Sequence, residues 1–205
     1  QVFFGDFKYS APFGIVRYMV IGLDLDGTII DQTETKIRLA KKYGVDLLPQ
    51  QTASESMKAH VPEDIYRAMI EVYGEETMNS RPMEGAQKII SILAKVSSGI
   101  YVISRRGQGQ GDEVDVARRW IKLFLSPFFE DSQLHFVKED KEKDIVCKEL
   151  GVSVFLDDKI AVLDNLTSVR HKVFFDQFGI FKGKDFPYQR VGSWQEFYEF
   201  FRKVS

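Results

Sequence analysis

Apolar and polar positions along this chain follow two alternating periods. Residues 20–30, VIGLDLDGTII, run apolar into two aspartates one residue apart, then Gly-Thr, then apolar again. The first half has the continuous apolar character of a strand buried on both faces. After Gly27 the period becomes helical. Residues 33–43, TETKIRLAKKY, predict a helix stopping at Gly44. Pro62 opens a second helix, PEDIYRAMIEVYG, with Glu63 and Asp64 in its first turn and Gly74 at its close. Residues 54–60 add a short helical piece, and no strand is predicted between residues 31 and 81. Ala86, Ile89, Ile90 and Leu93 then keep the i, i+3, i+4, i+7 spacing of an amphipathic helix. From there the periods alternate. Strands are predicted at 99–104 (GIYVIS), 134–137 (LHFV), 152–156 (VSVFL) and, as the last, 171–175 (HKVFF). Helices fall at 112–125 (Val114, Ala117, Trp120, Ile121 and Phe124 inward), 142–150 (closed by Gly151), 159–166 and 194–201.

Short apolar strands separated by helices predict an α/β fold, a doubly wound Rossmann-like parallel sheet covered on both faces. The all-helical stretch after the first strand reads as an insertion, a small helical cap. The expected organisation is a core of 1–30 and 82–205 with a cap of 31–81. With 44% hydrophobic residues and 17 Phe among 205, the chain has enough apolar side chains for one substantial core. A net charge of −2 gives no field that favours a nucleic acid polymer or an acidic membrane surface. The single Cys147 excludes an intrachain disulfide and reads as a small buried hydrophobe. With no membrane-length apolar run, and no uninterrupted apolar stretch in residues 1–18, the expected place is the cytoplasm. Residues 1–18, ahead of Met19, read as an extension, a misplaced start or a packed edge strand.

The polar residues with chemical potential collect at predicted strand ends, where open α/β sheets bind ligands. Asp24 and Asp26 end the first strand, Ser104 ends the second, and Asp157 and Asp158 end VSVFL. Clustered carboxylates repel unless they share a cation, so this grouping predicts a hard divalent ion, Mg2+. Gly27 permits a sharp turn, and Thr28 offers a hydroxyl or an amide to a phosphate oxygen. Read singly, each has a plainer role: Asp158 as a helix N-cap, Ser104 as a strand-end hydroxyl, Lys143 as a solvated helix residue. Asp164 reads either as support for the acidic loop or as an exposed helix position. His60, His135 and His171 show no ligand spacing.

Together these residues resemble the haloacid dehalogenase superfamily of phosphatases over most of the chain. Asp24-Leu25-Asp26-Gly27-Thr28 matches its first signature, Ser104 its second, and Asp157-Asp158 its fourth. For the third, a lysine near the start of a later helix, Lys143 is the candidate, with Lys138 and Lys141 as rivals. The resemblance implies that Asp24 is the nucleophile and Asp26 the proton donor and later base. It places Ser104 and Lys143 on the phosphoryl oxygens. It also implies that Asp24, the Asp26 carbonyl, Asp157 and Asp158 hold Mg2+.

Within the superfamily, Ser104-Arg105-Arg106, Trp120 and Arg190-Val191-Gly192-Ser193-Trp194 are similar to the deoxyribonucleotidase-like branch. That likeness implies a nucleoside monophosphate as the small phosphorylated substrate. Arg105 and Arg106 are candidates to meet it: Arg106 either reaches a second phosphate oxygen, closes the entrance, or is a surface arginine on a loop. Trp194 reads as packing for the last helix, while Tyr66, Met69 and Tyr73 form either an apolar wall for a flat leaving group or the insert's own core. Two other readings stand beside the phosphatase: a phospho-accepting receiver-like signalling module, and an inactive binding protein of the same fold.

Overall fold

The computed structural model describes residues 19–107 and 112–205; the expectations for residues 1–18, and part of the glycine-rich run after Ser104, lie outside them. The chain enters a sheet with β1 (Val20–Leu23) and forms a two-residue strand β2 (Ile30–Asp31). It then passes through α1 (Thr33–Lys42), α2 (Glu63–Ala68) and several 3-10 turns. There β3 (Arg81–Pro82) pairs antiparallel with β2. The remainder alternates: α3 (Ala86–Val96), β4 (Gly99–Arg105), α4 (Glu113–Leu125), β5 (Leu134–Val137), α5 (Glu142–Leu150), β6 (Val154–Asp157), α6 (Ile160–Asn165), β7 (His171–Phe175), β8 (Gln189–Val191) and α7 (Trp194–Val204). Six strands form one parallel sheet in the order β5-β4-β1-β6-β7-β8, so β1 lies inside it.

Successive residues of a strand point to opposite faces, and the apolar strands use both. Ile21, Leu23, Ile100, Val102, Val154, Leu156, Val173 and Phe175 pack into one cluster with α3, α4 and α7. Their neighbours Ile103, Phe155 and Phe174 join a second cluster with Cys147 of α5 and Val162 and Leu163 of α6. Gly22 is demanded by this packing, because a Cβ there would collide with the Phe155 ring. Burial pushes the Cys147 thiol up to about 12, which keeps it an inert hydrophobe.

The insertion between β2 and β3 has a third apolar cluster of its own, made of Leu39, Ala40, Leu47, Met57, Val61, Met69 and Val72. Several details differ from the sequence reading. The helix expected over 62–74 is α2 alone; a 3-10 turn over Met69–Tyr73 follows it, and the Tyr73 carbonyl accepts from Arg106. Residues 30–31 and 81–82 form the small antiparallel ladder at the root of the insertion. In α4 the buried valine is Val116, with Val114 half-buried in the first turn and Phe124 at the margin of the cluster. The sheet also continues past HKVFF, because Gln189–Val191 adds a sixth strand beside β7.

Candidate active site

Strand register brings the acids together. Leu23 lies opposite Leu156, so the next residue on each strand sets Asp24 beside Asp157, and the Asp24 amide still donates to the Leu156 carbonyl at 2.9 Å. Beyond Asp24 the chain folds back on itself: Ile29 and Ile30 both donate to the Leu25 carbonyl, and Gly27 donates to that of Ile30. Gly27 has φ of +78°, and a Cβ there would run into the Asp158 carboxylate. A glycine is therefore required twice over. The Trp194 indole donates to the Thr28 carbonyl at 3.0 Å, so this last-helix residue holds the signature loop from behind as well as packing α7.

At the centre of the cleft lies Lys143, in the first turn of α5 and 2% exposed. Its Nζ donates to Asp24 Oδ1 at 2.6 Å and to Asp157 Oδ2 at 2.8 Å. Burial works against the ammonium, but the Asp157 and Asp24 carboxylates outweigh it and push its pKa upward. The rival Lys141 pairs with Glu139 in solvent, and the Lys138 amide donates to Glu142. Burial raises the Asp157 carboxyl well above the usual range against the pull of Lys143. Burial, reinforced by the nearby Asp24 charge, pushes Asp158 up to about 6. Asp157 Oδ1 accepts from the Lys159 amide, an Asx-type turn that starts α6. Asp158 is not the cap of that helix. Its carboxylate takes the Ser54 hydroxyl at 2.7 Å, and the first amide of α6 goes to Glu55.

Oxygens of Asp24, Asp157 and Asp158 lie within 4.8 Å of one another, a hard-oxygen donor set that fits Mg2+. The Asp26 carboxylate is not in this set. It turns to Arg106 and to Gln32, whose amide donates to it at 2.7 Å. Burial raises the Asp26 carboxyl above its ordinary value, with Arg106 pulling the other way. Ser104 lines the cleft, fully buried, and its Oγ has no hydrogen-bond partner among the described residues. Thr28 and Gly27 do not line it: Thr28 is buried behind the loop, and Gly27 borders an adjoining cavity with Gln32, Lys36 and Asp158. Arg105 stands half-exposed at the rim, 3.3 Å from Asp140. Arg106, by contrast, is no surface arginine; it is buried, with its donors directed at protein acceptors.

Sequence reasoning passed over Gln32, Lys36, Ser54, Glu55 and Glu113. The first four come from the insertion, and only the i, i+4 spacing of Gln32 and Lys36 after the aspartate loop marked any of them. Lys36 is 7% exposed and donates to the Thr52 carbonyl; burial lowers its pKa against the nearby Asp158 and Asp26 charges. Asp164 is an exposed helix residue bonded by Tyr188, away from the acidic loop. A second cavity of about 230 Å3 opens beside the cleft, lined by Met57, Tyr66, Met69, Ile70 and Tyr73. Ser54, Ile70, Tyr73 and Arg105 border both spaces.

Known proteins share this architecture. A Bacillus cereus protein named "Putative nucleotidase" is 25% identical over 196 residues, covering 90% of this chain and 99% of that one. A magnesium-bound hydrolase of the haloacid dehalogenase type from Bacillus subtilis superposes with a TM-score of 0.60 at 14% identity, covering 91% and 99% of the two chains. A family hydrolase from Deinococcus radiodurans with bound phosphate and sodium gives 0.56 at 12% identity, covering 91% and 96%. No helix among the described residues is long and apolar enough to cross a membrane. Residues 18–204 match the model of one family along nearly their whole length. The chain belongs to that family, the 5' nucleotidase, deoxy (Pyrimidine), cytosolic type C proteins (NT5C), and is a hydrolase of the haloacid dehalogenase superfamily.

Proposed function

We propose that the chain hydrolyses the phosphomonoester of a small metabolite, a nucleoside monophosphate foremost, through an aspartyl-phosphate at Asp24. One observation carries this reading. Lys143 bridges Asp24 and Asp157 beside a buried Ser104 hydroxyl that has no partner among the described residues. A cation and a free donor are thereby fixed where a dianionic phosphoryl group would meet the nucleophile, and phosphoryl transfer asks chiefly for positioning and charge neutralisation.

An Asp24 carboxylate oxygen attacks phosphorus, and the ester P–O bond breaks. The departing oxygen takes its proton from Asp26. Water then attacks the phosphorus of the aspartyl-phosphate and yields its proton to the Asp26 carboxylate; inorganic phosphate leaves and Asp24 is restored. Lys143 and Ser104 hold the equatorial oxygens throughout. Asp24, Asp157 and Asp158 would hold Mg2+, which supplies further neutralisation of the phosphoryl charge. The magnesium bound to the Bacillus subtilis hydrolase and the phosphate bound to the Deinococcus radiodurans one support a metal-assisted phosphoryl chemistry for this chain.

The helical insertion acts as the cap, and its apolar cavity takes the leaving group. Tyr66 and Tyr73 suit a flat base, and the family's description names deoxypyrimidine 5'-nucleotides as the class to expect. The test is phosphate release from a panel of ribo- and deoxyribonucleoside monophosphates, sugar phosphates and p-nitrophenyl phosphate, with Mg2+ and with chelator. Release that needs metal and ranks a nucleotide among the better substrates is expected. Nucleotides at the bottom of the ranking would leave a phosphatase of another specificity.

A further inference from the structure

Arg106 is the most heavily engaged cation of the cleft, and its contacts divide into two sets. Nε donates to Asp26 Oδ2 at 2.9 Å and Nη2 to Asp26 Oδ1 at 2.5 Å, a two-pronged grip on one carboxylate. Nη1 faces the other way. It donates to the Tyr73 carbonyl, with Thr77 Oγ1 and the Glu113 carbonyl each at 3.4 Å. The guanidinium carbon lies 5.5 Å from the centre of the Tyr73 ring. The turn after it is fixed in turn: the Gly107 amide donates to the buried Glu113 carboxylate at 2.7 Å. Asp26 belongs to the loop after β1, Arg106 follows β4, Tyr73 and Thr77 sit in the insertion, and Glu113 opens α4. One side chain joins four segments.

We propose that Arg106 is the positioning residue for Asp26, and that it couples the seating of the helical insertion to the placing of that carboxylate. This rests on the phosphatase reading above, and it assigns Arg106 to Asp26 rather than to the phosphate. A guanidinium fork fixes the plane and direction of a carboxylate in a way that a single ammonium cannot. Withdrawal of the Tyr73 turn removes the Tyr73 carbonyl and Thr77 Oγ1 from Nη1 and leaves it the Glu113 carbonyl at 3.4 Å, which loosens that end of the fork. The acid is therefore placed only when the insertion is seated, which ties proton transfer to a closed site.

The experiment compares Arg106→Met and Arg106→Lys with the unaltered chain at saturating Mg2+. Leaving-group release is followed in the first turnover, so that only transfer to Asp24 is read. A nucleoside monophosphate leaves as an alkoxide that needs a proton, whereas p-nitrophenolate leaves without one. Arg106→Met is expected to slow the nucleotide on the order of a hundredfold, the usual range for a general acid, and the aryl ester by no more than about threefold. Arg106→Lys should fall between. Inhibition by inorganic phosphate should stay unchanged in both variants. Without any substrate, amide exchange across residues 73–77 should accelerate in Arg106→Met while that of β1 and β6 does not. Equal losses on the two esters, weakened phosphate inhibition, or unchanged exchange at 73–77 would each overturn the proposal. If exchange rises everywhere, Arg106→Lys decides the matter, since it retains the charge inside the fold. Failure of the unaltered chain to hydrolyse any ester refutes the phosphatase reading and the acid-positioning role with it, while the exchange measurement still decides the link to the insertion.

Discussion

The two walls of the cleft are built on opposite terms. On the sheet side every charged group is held by at least one partner: Lys143 by Asp24 and Asp157, Asp157 also by the Lys159 amide, Asp26 by Arg106 and Gln32. On the insertion side the cavity wall is mostly apolar, Met57, Tyr66, Met69, Ile70 and Tyr73 with Lys36 and Arg67 among them, and Ser54 reaches across to Asp158. Under the proposed function, the difference follows from what each wall would meet. A phosphoryl group is the same in every substrate, and its charge is best met by dipoles that need not reorganise. A leaving group varies, and apolar area with adaptable methionines tolerates variation. The insertion also packs on its own apolar cluster, separate from the two that cover the faces of the sheet, so it can change or move without disturbing the strands.

The sharpest break of this comparison lies at Asp24, the proposed nucleophile. Asp24→Asn keeps the shape and cannot attack phosphorus, so phosphate release should fall to background on every substrate. Persistent turnover in a folded Asp24→Asn protein would remove the aspartyl-phosphate from the mechanism. Next comes the cation. Lys143→Met should lower kcat by on the order of a hundredfold or more, as removal of a preorganised charge contact does. Lys141→Met, at an exposed pair with Glu139, should stay within about twofold in rate and leave the melting point essentially unchanged. Equal small effects at the two lysines would return Lys143 to a structural role.

On the insertion side the effects should be smaller and selective. Tyr66→Ala should raise KM for nucleoside monophosphates roughly fivefold, the low end of a lost base–aromatic stack, with kcat for p-nitrophenyl phosphate nearly unchanged. A uniform loss on all substrates would show that Tyr66 supports the insertion's packing alone.

The smallest expected effect is on stability against pH. Asp158 is raised to about 6 from a carboxylate value near 4, so the folded state favours its protonated form. Its contribution is present in full below the unfolded value and is lost as pH rises through about 6. Metal-free protein should therefore melt roughly 2–4 °C lower at pH 7 than at pH 5, the size of a 1 kcal/mol change in a chain of this length. Asp158→Asn should flatten that difference, and saturating Mg2+ should reverse it by binding the ionised folded form. A melting point that rises from pH 5 to pH 7 without metal would contradict the burial of this acid.

Much of this molecule was legible because strand ends converge. Asp24, Ser104 and Asp157 each follow an apolar run, and any parallel sheet gathers such positions at one edge. The alternation of short apolar strands with helices likewise defined the layering of the core, since β-strands buried on both faces leave a continuous apolar signature. Gln189–Val191 left none, because three residues are too few to show a period of two. Val116 rather than Val114 is buried because the helix phase is set by where α4 meets the sheet.

What the sequence by itself determined is therefore the order of the core elements and the identity of the acids at their ends, since both depend on neighbours along the chain. Only the tertiary structure decided which lysine sits among those acids, that Asp26 faces Arg106 and Gln32, and that Trp194 braces Thr28. Each of these is a contact between side chains or backbone groups brought together by strand register and helix packing. Asp24 and Lys143 are 119 positions apart and Thr28 and Trp194 are 166 apart. No periodicity along the chain reaches so far; the sheet that aligns β1, β4 and β6 brings such groups within bonding distance.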